Sequence, residues 1–269
     1  MTSRLLPAAV AVLLASSGFA AQAQDAPPVG QDWVLAHVPE RKAVIALAEF
    51  DNGITLSSRC MDGVFEVTIH GLPETRGESR TLRIGIGGEP AYASAWTVGA
   101  DRGAAFSRVP ARLARELAKG GKLEIAVAGQ RGQPGTRYVM ELDPSSSAVE
   151  QTLTACGRPL VDPRDLHGDE VESGLPAGIV WDQPPRPTFP GSVKGRSPLK
   201  GFVTLSCVTR ATGRLEDCVI ESEHPGGFNL GQSVRDSLAR ARVRSTDRNV
   251  PLIDRHLMQF TVNFVMAPF

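Results

Sequence analysis

The feature that most restricts what this chain can fold into is a pair of cysteines, Cys207 and Cys218, placed about a Thr-Gly turn. Upstream runs the alternating stretch Phe202-Val203-Thr204-Leu205-Ser206-Cys207-Val208, and downstream Leu215-Glu216-Asp217-Cys218-Val219-Ile220. Strict alternation marks half-buried strands, and two of them around a glycine turn read as a hairpin. With Thr212 and Gly213 at the centre of the turn, Cys207 lies opposite Cys218, Leu205 opposite Ile220 and Thr209 opposite Glu216. Opposed residues share a face, so both thiols point the same way as the Leu/Ile pair. Opposed Cβ atoms lie roughly 4.5–5.5 Å apart, closest at non-hydrogen-bonded pairs, which meets the upper end of disulfide reach. A four-residue loop at 211–214 makes 207/218 such a pair, and a two-residue loop does not. The reading therefore predicts that loop and a cross-strand disulfide. The plainer alternative is two small buried hydrophobes.

An amphipathic run from Leu230 to Val243 follows the hairpin, and a last alternating run spans Leu257 to Val265. Hairpin, helix and strand in that order make a small α+β unit. In the last strand Phe260, Val262 and Phe264 share one face, while Gln259, Thr261 and Asn263 share the other.

The pieces have a recognisable order. Pro187-Thr188-Phe189-Pro190 precedes the hairpin, and Pro225-Gly226-Gly227-Phe228-Asn229-Leu230-Gly231 leads into the helix. Asn249-Val250-Pro251 and Phe260-Thr261-Val262-Asn263-Phe264 follow. On these residues the segment 181–266 resembles the C-terminal domain of the TonB family of energy transducers, and the cysteine-paired hairpin resembles one subgroup of it. That resemblance implies a protein partner, an outer-membrane transporter, whose extended peptide pairs with the terminal strand. Gln259, Thr261 and Asn263 are then the residues beside the guest. An edge strand suits the task because its unpaired N–H and C=O groups give register and affinity through main-chain bonds. Permanent covering of that edge, by the first domain or by a twin chain as a homodimer, is the competing reading.

The N-terminus reads as a secretory leader over residues 1–23. Arg4 supplies the positive start, Leu5 to Ala15 the apolar core and Ala21-Gln22-Ala23 a small-x-small cleavage site. Pro7 and Ser16-Ser17-Gly18 keep the continuous apolar run well below the roughly 20 residues that a spanning helix needs. A retained anchor, with membrane association, is the alternative. Balanced charge, 29 Lys and Arg against 29 Asp and Glu, argues against nucleic acid as the main partner. All four cysteines lie beyond the leader, and an even count in an exported chain suggests two disulfides. Cys207–Cys218 leaves Cys60–Cys156, one bond in each half, although four cysteines allow three pairings.

Residues 24–160 form a strand-rich first domain. Val64 to His70 alternates most cleanly, with Phe65, Val67 and Ile69 on one face. Candidate strands also lie at 33–35, 43–48, 54–58, 82–86, 92–98, 123–128 and 137–142. A helix starts at Pro110 and stops at Gly120-Gly121, and a second runs from Ser147 toward Cys156. The expectation is a β-sandwich-like or rolled sheet with short helices. The tail of this domain, 121–157, is similar to the closing segment of periplasmic β-sandwich domains of the invasion-associated locus B type. Residues 161–197, rich in proline and acid, read as an extended linker, leaving 198–269 as the C-terminal domain.

Catalytic and metal patterns are weak. His37, His70, His167, His224 and His256 form no spaced metal pair, and His167-Gly168-Asp169-Glu170 reads as a solvated turn. Ser197-Pro198-Leu199-Lys200 matches Ser-x-x-Lys, but Pro198 and the following strand deny it the helix that chemistry needs. Gly85-Ile86-Gly87-Gly88 is followed by no Lys-Ser/Thr helix, so it is no phosphate loop. Arg235, Arg240, Arg242 and Arg244 read as the solvated side of the second-domain helix. The reading is a periplasmic binding or adaptor module that works by strand addition and is linked to outer-membrane transport, with no enzyme activity, cofactor or metal. Two alternatives stay open: an anchored energy transducer, and an envelope structural or enzymatic protein with its site in the first domain.

Overall fold

In the computed structural model the described residues are 33–129, 134–144, 146–167, 175–191 and 199–266. The leader 1–23, the acidic run 169–172 and the Ser197-Pro198 pair lie outside them.

Alternation builds the first unit. Its strands are β1 (Val34–Val38), β2 (Ala43–Glu49), β3 (Thr55–Met61), β4 (Val64–His70), β5 (Ser79–Ile86), β6 (Tyr92–Val98), β7 (Ala105–Ser107), β8 (Gly121–Val127) and β9 (Thr136–Leu142). Helix α1 (Pro110–Leu117) sits between β7 and β8, and α2 (Ser146–Ala155) follows β9. All the strands pair antiparallel in one sheet, in the order β1-β2-β3-β4-β7-β6-β5-β8-β9. The expected sandwich is thus a single continuous sheet of nine strands, and one core collects side chains from along it, including Leu56, Phe65, Val67, Leu82, Ile84, Trp96 and Ile125. α2 covers β2 and β3, α1 covers β4, and a Cys60–Cys156 disulfide ties β3 to the turn after α2.

The second unit has two small sheets. β11 (Leu199–Thr209), β12 (Leu215–His224) and β14 (His256–Met266) form one, in the order β12-β11-β14. β10 (Ile179–Gln183) and β13 (Arg242–Ser245) form the other. α3 (Leu230–Ser237) packs Leu230 and Val234 against Val203, Leu205, Met258, Phe260 and Phe264, each fully buried aliphatic side chain contributing about 1.5–3 kcal/mol.

Three expectations are corrected here. The helix predicted over 230–243 ends at Ser237; a 3-10 turn takes Leu238–Arg240, and Arg242 to Ser245 are extended. Val243 N–H donates to Gly213 O at 2.9 Å and β13 pairs with β10, so tertiary hydrogen bonds draw this stretch out of the helix. Arg242 and Arg244 therefore lie on a strand, and the basic helix side is reduced to Arg235 and Arg240. The described part of the 161–197 linker is not simply extended: Pro163–His167 forms a 3-10 turn, and β10 sets Trp181 edge-on to Phe260, 5.1 Å between ring centroids. Finally, the hairpin pairs Thr209 with Leu215 rather than Glu216, leaving a loop over 210–214. A bulge at Asp217, whose φ is 49°, restores the register further on, so Leu205 faces Ile220.

Candidate functional site

The outer border of β14 is the site toward which the sequence points. β14 pairs with β11 over eleven consecutive positions, from Leu199↔Met266 to Thr209↔His256, with no bulge. On its other side no strand of the described residues is paired with it. Its face toward the core is fixed by Met258, Phe260 and Phe264, all buried, with Phe189 edge-on to Phe264 at 5.4 Å.

The three polar residues expected beside a guest do share the opposite face, yet their surroundings differ. Asn263 is exposed, whereas Gln259 and Thr261 are half-buried. Thr261 Oγ1 lies 3.0 Å from Thr204 Oγ1 on β11, within hydrogen-bond distance. A row of freely solvated polar side chains is thus found only at the end that includes Asn263 and the exposed Val265.

The disulfides are positioned by the strands. Cys207 and Cys218 are bonded across the hairpin with Cα atoms 4.1 Å apart, and Cys60 and Cys156 are bonded at 5.5 Å. Two disulfides are compatible with an oxidising compartment. Among the described residues, no three His, Cys, Asp or Glu side chains gather as a metal ion would need, and no helix is long and apolar enough to cross a membrane.

The opposite border of the same sheet, β12, is treated differently, through residues that sequence reasoning did not single out. Arg158 Nη2 donates to Ile220 O at 3.0 Å, and Arg164 Nη1 to Asp217 O at 3.1 Å. Ser222 Oγ donates to the main-chain carbonyl of Arg108 at 2.9 Å. Arg164 is the centre of a buried ionic clasp. It donates to both Asp162 oxygens at 2.9 and 2.5 Å and to Ser206 Oγ at 3.2 Å, and it lies 4.0 Å from Glu221, which Ser206 also hydrogen-bonds. Arg115 of α1 grips Asp165 with two bonds at 2.6 and 3.0 Å and stands 3.7 Å from Asp162. The hydrogen bonds from Arg164 hold the Asp162 carboxyl below the usual carboxylate range. First-unit helix, intervening turn and second-unit sheet are joined by this one network. The sequence signal was Asp162-Pro163-Arg164-Asp165, in which Asp162 Oδ1 accepts from Arg164 N at 3.0 Å.

No model of a known protein family matches this chain. No curated protein matches it either. Among solved structures it is similar to a solution NMR structure of the Pseudomonas aeruginosa TonB CTD, at 18% sequence identity and a TM-score of 0.28, covering 36% of this chain and 96% of that one. That is a weak resemblance.

Proposed function

We propose that this chain is an exported periplasmic protein-binding module, and that its second unit takes an extended partner peptide by strand addition along the free border of β14, with no catalytic step. The observation that carries this reading is the unbroken eleven-position ladder of β14 on one side and, among the described residues, its lack of a ladder on the other. An unbulged strand presents its outward N–H and C=O groups at even spacing, the template that strand addition uses. An outer-membrane transporter is the partner class that the family resemblance in the sequence implies.

The test uses the full-length exported protein. It is incubated with detergent-solubilised outer-membrane transporters, and amide exchange is read on any complex recovered. Slowed exchange across 256–266 supports the reading. A complex formed without protection of β14, or no complex with any transporter, refutes it. N-terminal sequencing of the exported protein decides between the cleaved and anchored forms: a start near Gln24 excludes the anchor.

A further inference from the structure

We propose that the cleft between the end of α3 and the segment following β10 binds a phosphorylated polyol of the sugar-phosphate class, with arginines on the phosphate and acceptor oxygens on the hydroxyls. The cleft holds about 650 Å³, within the range of small-ligand sites, and is lined from residues 182–186 on one wall and 236–240 on the other. Both walls are tied down. The ladder of β10 with β13 pairs Gln183 with Arg242, and Ser233 Oγ of α3 donates to Thr188 O. Pro184 and Pro185 fix their own φ angles, which limits how far the wall that carries Arg186 can move.

Charge is out of balance here, although the whole chain carries 29 basic and 29 acidic residues. Arg186 and Arg240 line the cleft, and among the described residues neither side chain makes an ion pair or hydrogen bond. Arg242 and Arg244 stand beside it. Arg242 Nη1 donates to Ala239 O and Ala241 O, which satisfies carbonyls after the helix end, and Arg244 lies 3.8 Å from Asp182. Arg214 faces Arg242 across an isolated bridge. Against these five arginines stand Asp182 and Asp236, each with one oxygen engaged: Asp182 Oδ1 by Arg244, and Asp236 Oδ1 by Gln232 Nε2 at 2.6 Å. Ser237 Oγ gives its proton to Val234 O at 2.7 Å, so it offers a guest only lone pairs. Two kinds of group therefore meet a guest: guanidiniums without a counter-ion, and oxygens that only accept. A carboxylate has two oxygens, which one guanidinium fork occupies, whereas a phosphate monoester has three and can be held by two forks. Hydroxyls supply the protons that Asp182, Asp236 and Ser237 can take. A phosphorylated polyol matches both sets; a bare phosphate leaves the acceptors unmet and sets its charge beside two carboxylates. A soluble ester and a lipid headgroup share this chemistry. The site stands whether or not β14 takes a guest.

The full-length protein is titrated by calorimetry with glucose 1-phosphate, inorganic phosphate and glucose. In a second arm it is sedimented with phosphatidylcholine vesicles, with and without about 10% phosphatidylinositol 4-phosphate, a polyol monoester on a lipid. Glucose 1-phosphate should bind with a Kd of about 0.1–1 mM, at least about tenfold tighter than glucose or inorganic phosphate. Arg186→Gln and Arg240→Gln should each weaken it about fivefold or more. Both side chains are exposed, so the variants should fold as the parent does. Asp236→Ala removes an acceptor and a repelling charge together. It should cut the preference for glucose 1-phosphate over inorganic phosphate about threefold or more, whereas a purely electrostatic patch would keep that preference constant. Binding of the soluble ester, or of the inositol-phosphate vesicles alone, supports the site and names its source, provided that both arginine variants lose it. Binding of neither the ester at about 10 mM nor the vesicles, equal affinity for ester and inorganic phosphate, or affinity unchanged in the arginine variants overturns the proposal.

Discussion

Truncating Arg164 to alanine tests whether the ionic clasp holds the two units together. The guanidinium serves Asp162, Ser206 and the Asp217 carbonyl, and the carboxylates it neutralises are almost wholly inside, with side-chain exposures of 7% for Asp162 and 6% for Glu221. Removing one partner of a buried ion pair strands the other charge and costs about 3–5 kcal/mol. Two observations bring the figure down here. Arg115 remains 3.7 Å from Asp162, and Arg164 is itself 17% exposed, so water reaches part of the pair. A loss of about 2–3 kcal/mol at neutral pH follows. The dependence on pH has a definite sign. Arg164 holds the Asp162 carboxyl below its ordinary value, so the folded protein releases that proton more readily than the unfolded chain. The stabilisation is complete above the unfolded value, near about 4, and disappears as pH falls through the folded one. The gap between wild type and Arg164→Ala should therefore narrow on acidification from about pH 5 downward. Urea unfolding followed by tryptophan emission measures it, with Trp96 reporting the first unit and Trp181 the second. A double-mutant cycle with Asp162→Ala should give a coupling of about 1–3 kcal/mol. A loss below about 0.5 kcal/mol, or a gap that stays constant into acid, would refute the assignment of a structural clasp.

Three further changes have outcomes fixed by the geometry. Gly213 has φ 78°, and a Cβ there would lie 2.1 Å from Val243 O, so Gly213→Ala should destabilise by about 1–3 kcal/mol in urea melts and loosen the β10–β13 sheet in amide exchange. The disulfides differ in the loops they close: Cys60 and Cys156 are 96 residues apart in sequence, Cys207 and Cys218 only 11. Loop entropy then assigns about 5 kcal/mol to the first and about 3 kcal/mol to the second, and paired Cys→Ala variants should rank in that order on denaturation. Glu223 caps α3 from a neighbouring strand, accepting from Leu230 N and Gly231 N, while Asn229 at the N-cap makes no side-chain bond; Glu223→Ala should cost about 1 kcal/mol in the urea midpoint.

Much of this architecture was legible because long strands carry their own signal. Val64 to His70 and Tyr92 to Val98 alternate cleanly, and their bounds in the structure match the residues that show it. Signal failed where an element is short or is formed by a distant partner. β7 is three residues long, too few to show a period. The stretch after Leu238 continues an apolar helical spacing through Ala241, and only hydrogen bonds to Gly213 and to β10 make it a strand. The length of the hairpin loop is hidden from the sequence for a related reason. Counting outward from a turn assumes a constant register, and the bulges between Ser206 and Val208 and between Thr204 and Leu205 change it twice. The clasp left the faintest trace, since arginines distant in sequence from the carbonyls they cap give no local period at all.

The two borders of the three-stranded sheet differ in how they are protected, and the proposed strand addition at β14 rests on that difference. Natural sheets protect an edge with bulges, charges or a covering segment, because an unprotected edge invites another chain. β12 has such protections: two bulges, acidic residues at Glu216, Asp217, Glu221 and Glu223, and arginine side chains bonded to its carbonyls. Along Leu257 to Val265, β14 has no charged residue or proline, its register is unbroken and among the described residues no second strand pairs with it, although the 3-10 turn at Pro163–His167 packs near it. Packing against α3 does not require that bareness, since Gln259, Thr261 and Asn263 point away from the helix and a lysine at the exposed Asn263 would leave the core intact. A chain that protects one border and, among its described residues, leaves the other without a strand partner keeps an aggregation hazard there. Under the proposed strand addition, occupation of that border by a partner strand would remove the hazard and account for the asymmetry.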